Sequence, residues 1–315
     1  MKEYSLGIDT SNYKTSVALV DSDENIVYDG RIFLEVREGT LGLRQQDALF
    51  QHISNLPKLL DEAIRAASDG KIIGAAASNK PRPVEGSYMP CFLAGENQAK
   101  VIAPLLDTEA QFFSHQEGHL EAARRFTGLK NKEKFVFFHF SGVTTEILRY
   151  NHGKIEIMGE SEDISFGQLL DRIGDKRGFR FPAGEMMDRI AHSFNAQGEY
   201  RNMLPKIKVD GLKFNLSGIE TAAGKLVDEI PKEELAYMLF ERILECIKKI
   251  VMNSCEESGL KDVLFSGGVS SSEFIREGMK GFDECNIYFA DPGLSSDNAI
   301  GIAFLGGDKF WQENR

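Results

Sequence analysis

Four cysteines, Cys91, Cys246, Cys255 and Cys285, are all that this chain contains, and no two of them form a C-x-x-C pair. Their spacing offers no disulfide framework and fits a reducing cytoplasm. Long apolar runs are missing as well. No stretch approaches the roughly 18 residues of a membrane helix, which argues against a membrane-bound protein. The start, MKEYSLGIDTS, lacks the basic region and apolar stretch of a secretory signal. Positive charge is in deficit, with 37 Lys and Arg against 48 Asp and Glu, a formal charge of -11. Such a chain is not by itself a natural binder of a phosphate backbone. What is present is apolar material: 42% hydrophobic residues in 315, enough for a real core and for two lobes of about 150 residues each.

The pattern along the chain is that of an α/β protein. Ser5 to Val20 reads as strand, polar turn, strand, and NIVYDGRIFLEV continues the sheet. Leu49, Ile53, Leu56, Leu60 and Ile64 recur at helical spacing between Arg44 and Ala67. KIIGAAASN is a short buried strand and KPRPVEGSYMP a loop. Helices follow over Gly95–Leu105 and His115–Phe126. About 130 residues after the first start, KFVFFHFSGVTTEILRY repeats the strand–turn–strand opening, which suggests an internal duplication. The expected division is a first lobe of residues 1–133, joined by a C-terminal helix of 298–315, and a second lobe of 134–297. A cleft is expected between the lobes.

Several short segments could carry chemistry. The turns TSNYKT and SGVTT present hydroxyls and backbone amides that can wrap phosphate oxygens, although ordinary hairpins look the same. In the turn Phe265-Ser266-Gly267-Gly268-Val269-Ser270-Ser271-Ser272, two glycines after a strand let backbone approach a ligand ahead of a helix N-terminus. A serine-capped βα turn is the plainer reading. His115 and His119, four apart in SHQEGH, lie on one helix face at a spacing that lets two imidazoles share a metal. Glu117 points roughly 200° away from His115, so it cannot act as the base of an HExxH protease. Asp297-Asn298 opens the last helix, where capping by Ser295, Ser296 or Asp297 competes with ligation.

Taken together, the order LGIDTS, HQEGH, SGVTT, DRIG, FPAG, FNLSG, SGGV and DNAIGIA resembles the TsaD-like tRNA threonylcarbamoyladenosine transferases over nearly the whole chain. The resemblance implies a two-lobed actin-like ATPase fold with a duplicated lobe, binding one transition metal (iron or zinc) and ATP or an acyl-adenylate. It implies that His115, His119 and Asp297 ligate the metal, with His139 as an added ligand where some members carry tyrosine. His139, Phe140, Ser141, Gly142, Val143, Thr144, Asp171, Gly184, Gly267, Gly268 and Ser272 would line the nucleotide pocket. The implied reaction moves a threonylcarbamoyl group from its adenylate to adenosine in tRNA, with partner subunits of the same pathway and a dimer through the first lobe.

The chain departs from the family pattern in its first loop, where T-S-C-D-E-T has become Thr10-Ser11-Asn12-Tyr13-Lys14-Thr15. Gly-Pro-Gly-Leu, S-G-G-H-T and S-G-L-K-T are altered as well, and an Asn expected after GGV is Ser272. These changes point to a divergent paralogue. Asp9, Ser11 and Lys14 are the first-loop candidates for a catalytic role. The alternative function is an ATP-binding hydrolase or regulator without tRNA chemistry, in which Lys14 supplies a fixed charge near phosphates.

Overall fold

The computed structural model describes residues 1–11, 13–36, 43–142, 144–196, 201–295 and 298–313. The chain divides into two compact units, Met1–Arg125 with Ser296–Arg315, and Phe126–Ser295.

In the first unit, β1 (Lys2–Thr10), β2 (Lys14–Asp21) and β3 (Ile26–Phe33) form an antiparallel meander. After α1 (Gln45–Ala66), β4 (Gly70–Lys80) returns parallel to β1. After α2 (Leu93–Leu105), β5 (Gln111–Ser114) joins parallel to β4 and runs straight into α3 (His115–Arg125). The strand order is β3-β2-β1-β4-β5. The strand β5 carries no alternation over its four residues and is not anticipated by the sequence pattern.

The second unit repeats this plan. A meander of β6 (Lys134–Phe140), β7 (Thr145–Asn151) and β8 (Lys154–Glu160) is followed by α4 (Phe166–Lys176) and α5 (Gly184–Ser193). Next come a two-stranded ribbon of β9 (Val209–Asp210) and β10 (Lys213–Phe214), then α6 (Ser217–Leu226) and α7 (Lys232–Ser258). Gly259, with φ 68°, ends α7 in the left-handed conformation that glycine adopts most cheaply. The unit closes with β11 (Asp262–Ser266), α8 (Glu273–Gly278) and β12 (Asn286–Phe289). Its sheet order, β12-β11-β6-β7-β8, is that of the first unit with each strand replaced by its counterpart. The duplication is therefore one of topology as well as of sequence pattern.

The final helix, α9 (Ile300–Glu313), packs on the first unit's β1, β4 and α3. Small residues permit that contact. A Cβ on Gly301 would lie 1.9 Å from the carbonyl oxygen of Gly118 in α3, and one on Gly7 would lie 2.5 Å from that of Ala299. The first unit buries a core around Tyr4, Leu6, Ile8, Val17, Leu56 and Leu59, and the second unit one rich in phenylalanine (Phe138, Phe140, Phe166, Phe265).

The buried face of α1 consists of Ala48, His52, Leu56, Leu59 and Ala63, whereas Ile53 and Ile64 are exposed. The helix is apolar on two sides, and helical spacing alone does not say which side the sheet takes. One expectation changes. Cys255 and Cys285, 30 residues apart in sequence, are joined by a disulfide, while Cys91 and Cys246 are free and buried. Among the described residues no helix is long and apolar enough to cross a membrane.

Candidate functional site

In the first unit the chemistry collects at the C-terminal ends of three parallel strands, the end where ligands bind in sheets of this kind. Register fixes it. Ile8 of β1 pairs with Ala77 of β4, so Asp9 lies beside Ser78; Ser78 pairs with Phe113 of β5, one residue before Ser114. Ser114 then starts α3 by a reciprocal cap. Its hydroxyl accepts from the Glu117 amide (3.2 Å), and the Glu117 carboxylate accepts from the Ser114 amide (2.6 Å) and hydroxyl (2.6 Å). Ser-x-x-Glu before a helix is a signature legible in the sequence, and it engages the Glu117 carboxylate at the helix start.

The cap places His115 and His119 one turn apart with their Nε2 atoms 2.9 Å apart. The rings meet nearly edge to face, with centroids 4.3 Å apart. Nδ1 of His115 lies 2.9 Å from Oδ1 of Asp9, and Oδ1 also accepts from the Ser78 hydroxyl at 2.6 Å. Asp9 and Ser78 are fully buried and His119 nearly so. Two convergent imidazole nitrogens, one ring backed by a carboxylate on its other nitrogen, fit the donor set of a transition metal. No group of three His, Cys, Asp or Glu able to hold a metal occurs among the described residues. Asp297, the third ligand expected, lies outside them, as do Asn12 and Val143. Asn298 is described, and its side chain caps the last helix by accepting from the Ile300 amide at 3.0 Å.

The first loop is anchored at both ends. The Thr10 hydroxyl donates to the Cys91 carbonyl (3.0 Å) and accepts from the Gly95 amide (3.2 Å). Thr15 Oγ1 lies 2.9 Å from Nδ1 of His52 and accepts from the side-chain Nδ2 of Asn55 at 3.2 Å. His52 is fully buried, and that burial pushes its pKa below the usual imidazole value. Burial likewise lifts the Cys91 thiol to about 12, which keeps it from acting as a nucleophile. Ser11 is buried at this loop, and the Lys14 ammonium sits 4.6 Å from the ring centroid of Phe33. His52 and Ser78 escaped notice in the sequence because a lone polar residue in an apolar segment gives no motif.

The second unit gathers its residues at the equivalent edge. His139 pairs in register with Glu146 of β7 and Ser266 of β11, and all three are buried. Glu146, missed in the sequence, is the charged residue in the otherwise apolar start of β7. The Phe140 side chain belongs to the core, packed against Phe138, Phe166 and Phe265. The turn at 141–144 closes on itself: the Ser141 amide donates to the Thr144 carbonyl (2.9 Å), and the Thr144 amide to Ser141 Oγ (2.9 Å). Helix α4 fastens this turn, since its capping residue Ser165 donates to the Gly142 carbonyl at 3.0 Å. Gly267, at φ 94°, approaches so closely that a Cβ would lie 2.2 Å from the Phe140 oxygen. Gly142 and Gly268 face open space. Ser272 caps α8, accepting from the Ile275 amide (3.1 Å), and donates to Asp188 (2.5 Å). Asp171, whose pKa burial raises, accepts from the Ala183 amide at 2.7 Å and so fixes the turn into α5 that begins with Gly184.

Duplicated α/β units with polar turns at matching strand ends define an actin-like ATPase fold. Solved structures share it: component A of (R)-2-hydroxyglutaryl-CoA dehydratase from Acidaminococcus fermentans (TM-score 0.61, 14% identity, 98% of this chain and 99% of that one). HypF of T. kodakarensis is another (TM-score 0.63, 13% identity, 99% of this chain and 48% of that one). Residues 40–304 match the family model described as TsaD, tRNA N6-adenosine threonylcarbamoyltransferase, and the chain belongs to that family. Two curated relatives carry that same description. The protein of Neorickettsia sennetsu is 29% identical over 95% of this chain and 91% of its own length, and that of Archaeoglobus fulgidus 25% identical over 96% and 90%. A probable bifunctional tRNA threonylcarbamoyladenosine biosynthesis protein of Methanobrevibacter smithii is 29% identical over 96% of this chain and 54% of its own length.

Proposed function

We propose that this protein transfers the threonylcarbamoyl group from its adenylate to the exocyclic nitrogen of an adenosine in tRNA, in the cytoplasm. The observation that carries the reading is the convergence of His115 and His119 at 2.9 Å, backed by Asp9, in a chain of this family. His115 and His119, with Asp297, would hold iron or zinc. A bound metal supplies Lewis-acid polarisation of the phosphate or the attacked carbonyl. In the second unit, the backbone amides of Gly142, Gly267 and Gly268 would supply donors for phosphate oxygens, ATP's included. The adenosine nitrogen attacks the carbamoyl carbon, AMP leaves, and the nitrogen gives up its proton.

The ATP-binding hydrolase or regulator is not favoured. The reading that set Lys14 near phosphates loses support, because its ammonium rests on the Phe33 ring. With a charge of -11 the chain leans on partner subunits to hold tRNA. A pairing surface is offered by α1, where Phe50, Ile53 and Ile64 are exposed on an apolar stripe with half-buried Leu60. A dimer formed through that first-unit face should dissociate in Ile53→Lys on a sizing column. Transition-metal content after purification without chelators tests the site. Stoichiometric metal in the wild type and its loss in His115→Ala and His119→Ala are expected; a metal-free wild type would overturn the ligand assignment.

A further inference from the structure

We infer that Asp9 is the positioning carboxylate of the imidazole pair: it accepts the hydrogen bond of the Nδ1–H of His115 and holds the Nε2 lone pair of that ring toward Nε2 of His119. The inference rests on the reading of the two histidines as metal ligands and assigns Asp9 a role other than a catalytic one. Its geometry is independent of any bound ion. An ionised carboxylate can only accept, so the 2.9 Å contact calls for a hydrogen on Nδ1, and in the neutral ring Nε2 then carries none. That is the tautomer a metal-binding imidazole needs when it ligates through Nε2.

Asp9 suits this task better than contact with substrate. Its side chain is fully buried, whereas that of His115 retains 20% of its exposure, so Asp9 acts through the ring. It is carried by the strand that pairs with β2 on one side and β4 on the other, which makes it a rigid support. The Ser78 hydroxyl, itself fully buried, donates at 2.6 Å to the oxygen that faces His115 and holds the carboxylate in place. The backbone under His115 is set separately, by the Ser114–Glu117 cap and by the Gln116 amide donating to the Pro81 carbonyl at 3.1 Å. Backbone and ring are thus fixed by different residues, and removing Asp9 frees the ring while the helix start stays put.

Two measurements separate this role from a structural one. The first is the tautomer of His115 in metal-free, 15N-histidine-labelled protein, read by long-range nitrogen–proton correlation and assigned with His115→Ala. The wild type should show the Nδ1–H form, and Asp9→Ala the Nε2–H form or a mixture. The second is the affinity for Zn2+ alone, measured against a chromophoric chelator. Asp9→Ala should lose about 10–100-fold. Asp9→Asn, which can still accept from Nδ1, should lose less, and Ser78→Ala least. If Asp9→Ala does not fold, Asp9→Asn and Ser78→Ala carry the same ordering. Unchanged tautomer and unchanged Zn2+ affinity in these variants would overturn the inference. A wild type that binds no Zn2+ would instead overturn the metal reading, and the tautomer alone would then decide whether Asp9 orients His115.

Discussion

The two units place different chemistry on the same scaffold. The hairpins align residue for residue, with Thr10 paired to Thr15 in the first unit and Phe140 to Thr145 in the second. Asp9 therefore occupies the position of His139, Ser16 that of Glu146, and Ser78 that of Ser266. In the first unit a buried acid reaches across parallel strands to an imidazole on the following helix. In the second unit the imidazole sits on the strand and the acid opposite it on the hairpin. Duplication thus preserved the backbone edge that collects ligands and let its side chains diverge. The packing behind the two edges differs as well. The first is closed by glycine contacts between α3 and α9, whereas the second ends in turns with open space beside Gly142 and Gly268.

The largest effect should come from filling the first of these contacts. Gly301→Ala would drive a Cβ into the Gly118 backbone, and α9 must move. A loss of roughly 1–3 kcal/mol or more is expected in thermal or urea unfolding, with weakened metal retention. In the second unit the glycines of one turn should part ways. Gly267→Ala combines a left-handed φ with a clash against Phe140 and should cost about 1–3 kcal/mol. Gly268→Ala should stay within about 0.5 kcal/mol of wild type in stability while weakening ATP binding by calorimetry.

His52 makes a smaller, pH-dependent contribution. Its folded pKa is depressed, so the unfolded chain binds the proton more readily, and the stability is present above the ordinary value near 6.5. It is lost as pH falls from there toward the folded-state pKa. Unfolding temperatures between pH 7 and 5 should therefore fall more steeply for the wild type than for His52→Gln. The smallest effect should be that of Glu117→Gln, because glutamine also completes the cap. Stability and transferase activity near wild type are expected; abolished activity would revive a catalytic Glu117.

Much of this was legible in the sequence where a motif is local. The repeated strand–turn–strand opening gave away the duplication, and the i, i+4 histidines and Gly-Gly turn announced themselves through spacing. What escaped depends on register between distant strands. Nothing near Ser78 or Glu146 signals that it will lie beside Asp9 or opposite His139. The exposed edge of α1 escaped for a different reason: a helix apolar on two sides does not say which side meets the sheet. The first-loop substitutions suggested a paralogue with changed chemistry, yet the Asp9–His115–His119 arrangement is built without the altered positions 12–14.

The most direct measurement is nucleoside mass spectrometry of tRNA incubated with threonylcarbamoyl adenylate, this protein and its partner subunits. Threonylcarbamoyladenosine should appear with the wild type and vanish with His115→Ala or His119→Ala. Its absence with every partner set, or its undiminished formation by both histidine variants, would contradict the assignment.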